Sequence, residues 1–293
     1  MHLKTILITG TTGYLGTRLS RRFLDEGYNI IALCLNHSEQ FLYSDNSKVK
    51  IYYLDTDNIQ DIFEENVIDI IIHTATLYGR RNEHLTEMLK ANIEFPCSIL
   101  EMAELSNVKL FINTDTILAK NINSYSMTKS HFADWLQFYS NKFKCVNLKL
   151  DHFYGPNDKP VQFIAWIIEN LKRNAEKIDL TEGSQTRDFI YIDDVLNAYS
   201  CIINNIDKLS NDKINCFEVG TNTRTKIRDI VIMLKELMHN SKTVLNFGAI
   251  PYRKNEVLSY EVDTSGLRLL GWKPEVPVRE GLKKIIEIEG LNK

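Results

Sequence analysis

What the 293-residue chain lacks narrows its class first. Its five cysteines, Cys34, Cys97, Cys145, Cys201 and Cys216, lie far apart. An odd, scattered set builds neither a disulfide scaffold nor a zinc cluster, and suits a reducing compartment. No basic run of the nucleic-acid-binding kind occurs, and 35 basic against 38 acidic side chains leave a formal net charge of -3. No stretch approaches the roughly 18 uninterrupted apolar residues of a membrane span, and residues 1–30 show no charged-then-apolar leader. Internal repeats and low-complexity segments are missing, and no linker rich in Gly, Ser or Pro divides the chain. A metal set finds no support: His73 and His131 are far apart, and Asp193 and Asp194 read as helix-capping residues. A soluble cytoplasmic protein that binds neither nucleic acid nor membrane is expected, long enough to bury a large core.

What is present begins with T-I-L-I-T-G-T-T-G-Y-L-G near the N-terminus. An apolar strand over 5–9 feeds directly into Gly10, Gly13 and Gly16. Glycines three apart after a strand let a backbone turn tightly against a dinucleotide pyrophosphate. Gly10 suits the turn, Gly13 the close approach of phosphate, and Gly16 a helix lying near the sheet. A helix over 14–26 then aims its free N–H groups and positive dipole end at the anion. Apolar strands over 29–35, 49–54, 68–73, 108–112 and 146–150 alternate with helices over 59–66, 83–105 and 125–143. Continuously apolar strands alternating with helices specify an α/β fold, a Rossmann-type doubly wound parallel sheet. Pro96 is expected to bend the helix over 83–105.

From Asp151 the rhythm breaks into a turn-rich Y-G-P-N-D-K-P loop and shorter elements. Helices are expected over 163–172, 194–206, 225–239 and 278–289, with short strands over 177–180, 188–191 and 216–219. The division implied is a dinucleotide-binding domain over 1–155, with segments returning from about 188–220, and a smaller interleaved C-terminal substrate lobe over 156–293.

Tyr125 and Lys129 form Y-S-M-T-K at the opening of a helix, so both side chains share one helical face. An ammonium beside a phenol favours the phenolate, lowering a reference pKa of about 10. The strand over 108–112 runs into N-T-D-T, which puts the hydroxyls of Thr114 and Thr116 at a C-terminal strand edge. Such a hydroxyl can hold a substrate oxygen while Tyr125 exchanges a proton with it.

In this order the chain carries the glycine run, Asp55 after the third strand, H-T-A-T at 73–76, Asn92, Thr114, Tyr125 with Lys129, L-D-H-F-Y-G-P at 150–156 and R-D-F-I-Y-I-D-D-V at 187–195. This set resembles the extended short-chain dehydrogenase/reductase family, the nucleotide-sugar epimerases, dehydratases and 4-ketoreductases, over nearly the whole length. The resemblance implies a dinucleotide held along Gly10, Thr12, Gly13, Tyr14, Leu15 and Gly16, with Cys34 at the ribose. It implies Asp55 and Thr56 at the adenine, and Thr74, Ala75 and Thr76 where the main chain passes the cofactor. Tyr125 is implied as acid/base, Lys129 as the ribose-binding residue that tunes it, and Thr114 as the hydroxyl on the sugar's O4. His152 and Phe153 follow the sixth strand, His152 at the nicotinamide amide and Phe153 at the substrate. Tyr78, Asp115 and Thr116 are expected on the substrate side, and Arg187 at the diphosphate, a role its five fixed donors suit. Asp188 and Tyr191 are expected to brace that segment. A homodimer through the helices over 83–105 and 125–143 is also implied.

The departures from the family pattern carry information. The 4,6-dehydratases follow the threonine with Asp-Glu, whereas this chain has Thr114-Asp115-Thr116, without the carboxylate that takes the C5 proton. The insert between Thr114 and Tyr125 is short, a feature similar to the branch reducing CDP-linked 4-keto-6-deoxysugars, as in O-antigen synthesis. Cys34 replaces the acid with which NAD-preferring members bind both ribose hydroxyls. Arg18 or Arg22 could approach a 2'-phosphate, so NADPH is expected, with NADH as the alternative. Three activities stay open: reduction at C4, epimerisation with the same residues, or dinucleotide binding without catalysis, which would leave Tyr125 and Lys129 unexplained.

Overall fold

A computed structural model describes residues 4–37, 43–253 and 256–291. Its elements are β1 (Thr5–Thr9), α1 (Tyr14–Asp25), β2 (Asn29–Cys34), β3 (Val49–Tyr53), α2 (Ile59–Glu65) and β4 (Ile70–His73). There follow α3 (Leu85–Leu89), a widened π-type turn at Lys90–Glu94, α4 (Phe95–Leu105), β5 (Leu110–Thr116), α5 (Ser124–Tyr139) and β6 (Lys144–Leu150). The remainder holds β7 (His152–Tyr154), α6 (Phe163–Lys172), β8 (Lys177–Leu180), β9 (Thr186–Tyr191), α7 (Ile192–Asn204) and β10 (Asn215–Val219). It closes with β11 (Arg224–Lys226), α8 (Ile227–Leu237), β12 (Val244–Phe247), α9 (Ser265–Leu269) and α10 (Val278–Ile288).

Seven strands form one sheet in the order β10-β6-β5-β4-β1-β2-β3. The pairs β1·β2, β2·β3, β1·β4 and β4·β5 are parallel. Strand order reverses between β1 and β4, the switch point at which doubly wound sheets open a crevice. Both faces are buried, so the centre of β1 is continuously apolar: Ile6, Leu7 and Ile8 are each wholly inaccessible. On one face Leu7, Ile31, Leu33, Ile71 and Phe111 pack with Ile62 of α2, Ile99 and Leu100 of α4, and Phe132 and Leu136 of α5. Among the described residues no helix is long and apolar enough to cross a membrane.

The chain divides into two compact units, Met1–Lys149 with Ile202–Phe217, and Leu150–Cys201 with Glu218–Lys293. The first break falls at the end of β6, before the boundary at 155 that the sequence suggested, and the returning segment is shorter than 188–220. Within the second unit, β9 joins β7 in parallel and β11 in antiparallel register, while β8 pairs with β12.

Two elements depart from the sequence reading for identifiable reasons. The helix expected over 83–105 is interrupted one turn before Pro96, where Phe95 donates its N–H to the Lys90 carbonyl. Proline has no N–H to give, and its ring would collide with the carbonyl four residues back, so the turn widens. Helix α7 begins at Ile192, ahead of both aspartates expected to cap it. Asp194 is fully buried, its carboxylate accepting from the backbone N–H groups of Glu275 and Val276, each at 3.0 Å. Its carbonyl takes the Trp272 indole N–H. Asp194→Ala would remove the buried acceptor of two part-buried N–H groups and is expected to destabilise the protein by about 1–3 kcal/mol, read from urea unfolding.

Candidate active site

The turn after β1 is built from close backbone approach. Gly10 adopts φ +67°, and a Cβ there would lie 2.8 Å from the Ala75 nitrogen. A Cβ on Gly16 would collide with the Gly10 carbonyl oxygen, so only glycine lets α1 sit this near the turn. Thr9 ties the opposing segment down. Its hydroxyl accepts from the Thr74 and Ala75 N–H groups at 3.1 and 3.2 Å, and Thr74 Oγ1 donates to the Thr9 carbonyl at 2.6 Å. With its lone pairs so used, Thr9 donates its proton to His73 Nδ1 at 2.9 Å, which leaves the His73 proton on Nε2. That nitrogen has no hydrogen-bond partner and lies among the rings of Phe95, Phe111 and Phe132. Burial, and then the charge of Lys129, push the imidazole well below its ordinary range, so it is neutral.

A dinucleotide pyrophosphate fits this cradle. Helix α1 opens at Gly13 with no side-chain cap and no acid in its first turn, and Gly10 and Gly16 keep the approach free of side chains. Thr12, Tyr14 and half-buried Gly13 lie at that opening, with Leu15 packed inward. Both arginines considered for a 2'-phosphate are otherwise engaged: Arg18 lies 3.6 Å over the Tyr14 ring, and Arg22 pairs with Glu26 at 3.9 Å. Cys34 is fully buried beneath the Thr11 hydroxyl, 3.4 Å away. Asp55 binds His37 Nδ1 at 3.1 Å, and that imidazole stacks on Tyr53. Exposed Thr56 donates to the Tyr53 carbonyl. A cavity of about 440 Å³ adjoins this segment, lined by Leu54, Asp57, Ile59, Phe95 and Met102, and does not include Tyr125.

Tyr125 sits in the first turn of α5, which Asn123 and Ser126 cap reciprocally. Its ring packs 5.0 Å from that of Tyr78, over which Arg80 lies at 4.9 Å. Burial raises the Tyr125 pKa, with Tyr78 and Asp115 adding to it, while Arg80 and a hydrogen bond with Thr116 oppose. The sequence suggested an ammonium lowering this phenol; here burial dominates and the group is a stable proton donor. Lys129 is turned into the protein instead, its Nζ 3.5 Å from Asn113 Oδ1, and burial pushes it down to about 8, against the attraction of Asp115. Asp115, expected to face substrate, is also directed inward: its oxygens take Asn147 Nδ2 and the Thr116 N–H, each at 2.7 Å. Half-buried Thr114 lies one residue away on the strand, on the alternate face.

The π-type turn turns Asn92 inward. Its amide oxygen accepts from Thr76 Oγ1 and the Leu77 N–H, and its nitrogen donates to the Leu77 carbonyl and Thr128 Oγ1. Thr128 passes the chain on to the Tyr125 carbonyl at 2.9 Å, so one amide fixes the loop beside Tyr78 against the helix bearing Tyr125.

In the second unit, buried Asp151 binds His152 Nδ1 at 2.6 Å, the Tyr260 hydroxyl and the Asp188 N–H. Phe153 is the central residue of β7, paired with Ile190. Arg187, expected at a diphosphate, is committed to Glu256 at 2.5 Å and to the carbonyls of Thr186 and Val257. Asp188 collects the Thr221 hydroxyl and the N–H groups of Thr221 and Asn222. Asn113, Asn147 and Tyr260 had carried no signal in sequence, since their partners are contributed by separate elements.

Fold and motif together define a dinucleotide-binding α/β enzyme, and residues 6–216 match the model of the NAD dependent epimerase/dehydratase family. The chain belongs to that family. It is 33% identical to the CDP-abequose synthase of Salmonella muenchen over 98% of both chains. It is 30% identical to the same-named protein of Salmonella typhimurium, covering 96% of this chain and 97% of that one. Among solved structures it is similar to the UDP-glucose 4-epimerase of Thermotoga maritima with UDP-glucose, at TM-score 0.81, 24% identity and 98% coverage of both. The UDP-glucuronic acid 4-epimerase of Bacillus cereus, in complex with UDP-glucuronic acid and NAD, gives TM-score 0.83 at 20% identity, covering 97% of this chain and 99% of that one.

The cradle itself is testable. Gly16→Ala forces its methyl against the Gly10 carbonyl and is expected to cost about 1–3 kcal/mol, visible as a lowered Tm.

Proposed function

We propose that the protein reduces the C4 keto group of a nucleotide-linked 4-keto-6-deoxyhexose. The observation that carries this reading is the half-buried Tyr125 phenol, packed against the Tyr78 ring beside the strand-end hydroxyl of Thr116, with its proton held firmly by desolvation. A phenol whose pKa is raised gives up its proton only to a strong base, which an alkoxide forming at C4 is. The nicotinamide dinucleotide, when bound, supplies the hydride. Gly10, Thr12, Gly13 and Gly16 would hold its pyrophosphate, while Lys129, expected at the ribose, is enclosed behind Tyr125. Tyr125 donates the proton, and Thr114 and Thr116 keep the oxygen in line with it. Relatives named for making CDP-abequose support CDP as the nucleotide.

The same geometry argues against dehydration. Thr116 supplies a hydroxyl where elimination needs a carboxylate, and Asp115 is held by Asn147 away from solvent. Self-association is supported by an apolar stripe on α5, where Met127, Trp135 and Phe138 are 40, 50 and 70% exposed, with Leu85 and Leu89 also uncovered. Two copies paired through this face would cover it.

Supplied with an NDP-4-keto-6-deoxyhexose, the protein is expected to oxidise one reduced cofactor per sugar, followed by nicotinamide absorbance and product NMR. Tyr125→Phe is expected to lower turnover roughly 10²- to 10⁴-fold while dinucleotide binding persists. A sugar whose configuration changes without net cofactor oxidation would return the site to epimerase chemistry, and loss of water from an NDP-hexose would overturn the assignment.

Cys34 at the end of β2 supports NADPH, because no carboxylate there repels a 2'-phosphate. Cys34→Asp is expected to weaken NADPH binding about tenfold or more and to spare NADH. Fluorescence titration of both cofactors reads this directly, and a wild-type protein that favours NADH contradicts it.

A further inference from the structure

Between Lys129 and Asp115 runs an unbroken chain of buried side chains. Lys129 Nζ meets Asn113 Oδ1 at 3.5 Å, Asn113 Nδ2 donates to Asn147 Oδ1 at 2.7 Å, and Asn147 Nδ2 donates to Asp115 Oδ2 at 2.7 Å. The other Asp115 oxygen takes the Thr116 N–H. Lys129, Asn113, Asn147 and Asp115 are 2, 0, 2 and 7% exposed. The sheet makes this arrangement possible, because Asn113 and Asp115 are two apart on β5 and Asn147 stands on the neighbouring strand β6.

The chain has a direction. Each carboxamide turns its oxygen toward the ammonium and its NH₂ toward the carboxylate, so both amide dipoles point the same way between the two charges. Reversing either amide would set donor against donor at one end and acceptor against acceptor at the other. Amides do not titrate in the working range of a protein, so the chain conveys polarisation and fixes position; it does not pass protons. We propose that Asp115 is the counter-charge of Lys129, linked to it through the amides of Asn113 and Asn147, and thus a positioning residue that keeps the ammonium charged and in place. The assignment differs from the substrate-side role that the sequence suggested for Asp115.

The groups facing Lys129 are consistent with this. His73 on β4 is neutral, and Tyr125, one turn earlier on α5, is a protonated phenol. Asp115 on β5 is the charge that raises the Lys129 pKa against burial. Without it, burial alone acts on the ammonium, and the lysine loses its proton at lower pH.

The test is an NMR titration of the protein labelled at the lysine side-chain nitrogen, with Lys129 assigned through Lys129→Met. Asp115→Asn is expected to weaken the proton affinity of Lys129 about three- to tenfold. The double variant Asp115→Asn with Asn147→Asp moves the carboxylate one link closer to the lysine. It is expected to restore the midpoint to the wild-type value or above, a result no merely structural role predicts. An unchanged midpoint in Asp115→Asn, or a double variant that titrates below wild type, overturns the proposal. If Asp115→Asn fails to fold, the double variant alone decides. The titration needs neither dinucleotide nor sugar, so it stands or falls apart from the reduction proposed above.

Discussion

The C-terminal rim of the large sheet depends on how closely two backbones approach, at Gly10 and Ala75. That spacing sets where β1 can release the chain into α1 and where β4 can release it toward Tyr78. It is maintained by the hydroxyl of Thr9, which accepts two N–H groups and donates to His73. A side chain at Gly10 would separate the segments, and a side chain at Gly16 would push the helix off the turn. The cradle therefore offers backbone polarity with no side chain in the way, and its geometry is a consequence of packing constraints lying beneath it.

Burial sets the chemistry a few ångströms further along. In water, a lysine one helical turn from a tyrosine would act mainly on that tyrosine. Here both groups are desolvated, and desolvation moves them in opposite senses, the phenol up and the ammonium down. Each form favoured by burial is neutral. The Arg80 cation over Tyr78 and the Thr116 hydroxyl act on the phenol alone, while Asp115 acts on both groups, raising each, so the two electrostatic neighbourhoods share one carboxylate.

Much of this architecture was legible in the sequence because its signals are local. The strand before Gly10, the glycine spacing and the run of apolar strands each lie within a few residues, and β1, α6 and β8 begin and end where the pattern places them. What was not legible lies across long separations. Asn113 and Asn147 are 34 residues apart, Arg187 and Glu256 are 69 apart, and Tyr260 reaches Asp151 across 109. An isolated asparagine or glutamate carries no periodic signature, and its partner is chosen by topology. The same limit explains Asp194: next to a helix start it resembles a cap, until the segment at Glu275 is known to return to it.

The widened turn at Lys90–Glu94 has a consequence for the surface as well as for Asn92. Adding one residue to a helical turn advances everything after it by about 100° around the axis. The leucines before the turn and the apolar residues after it thus belong to two stripes out of phase with each other. Leu85 and Leu89 are uncovered, whereas Ile99, Leu100 and Ala103 are wholly enclosed. A single extra residue lets one nearly continuous rod serve two clients, with Ile99, Leu100 and Ala103 turned to the core while Leu85 and Leu89 stay uncovered beside buried Met88.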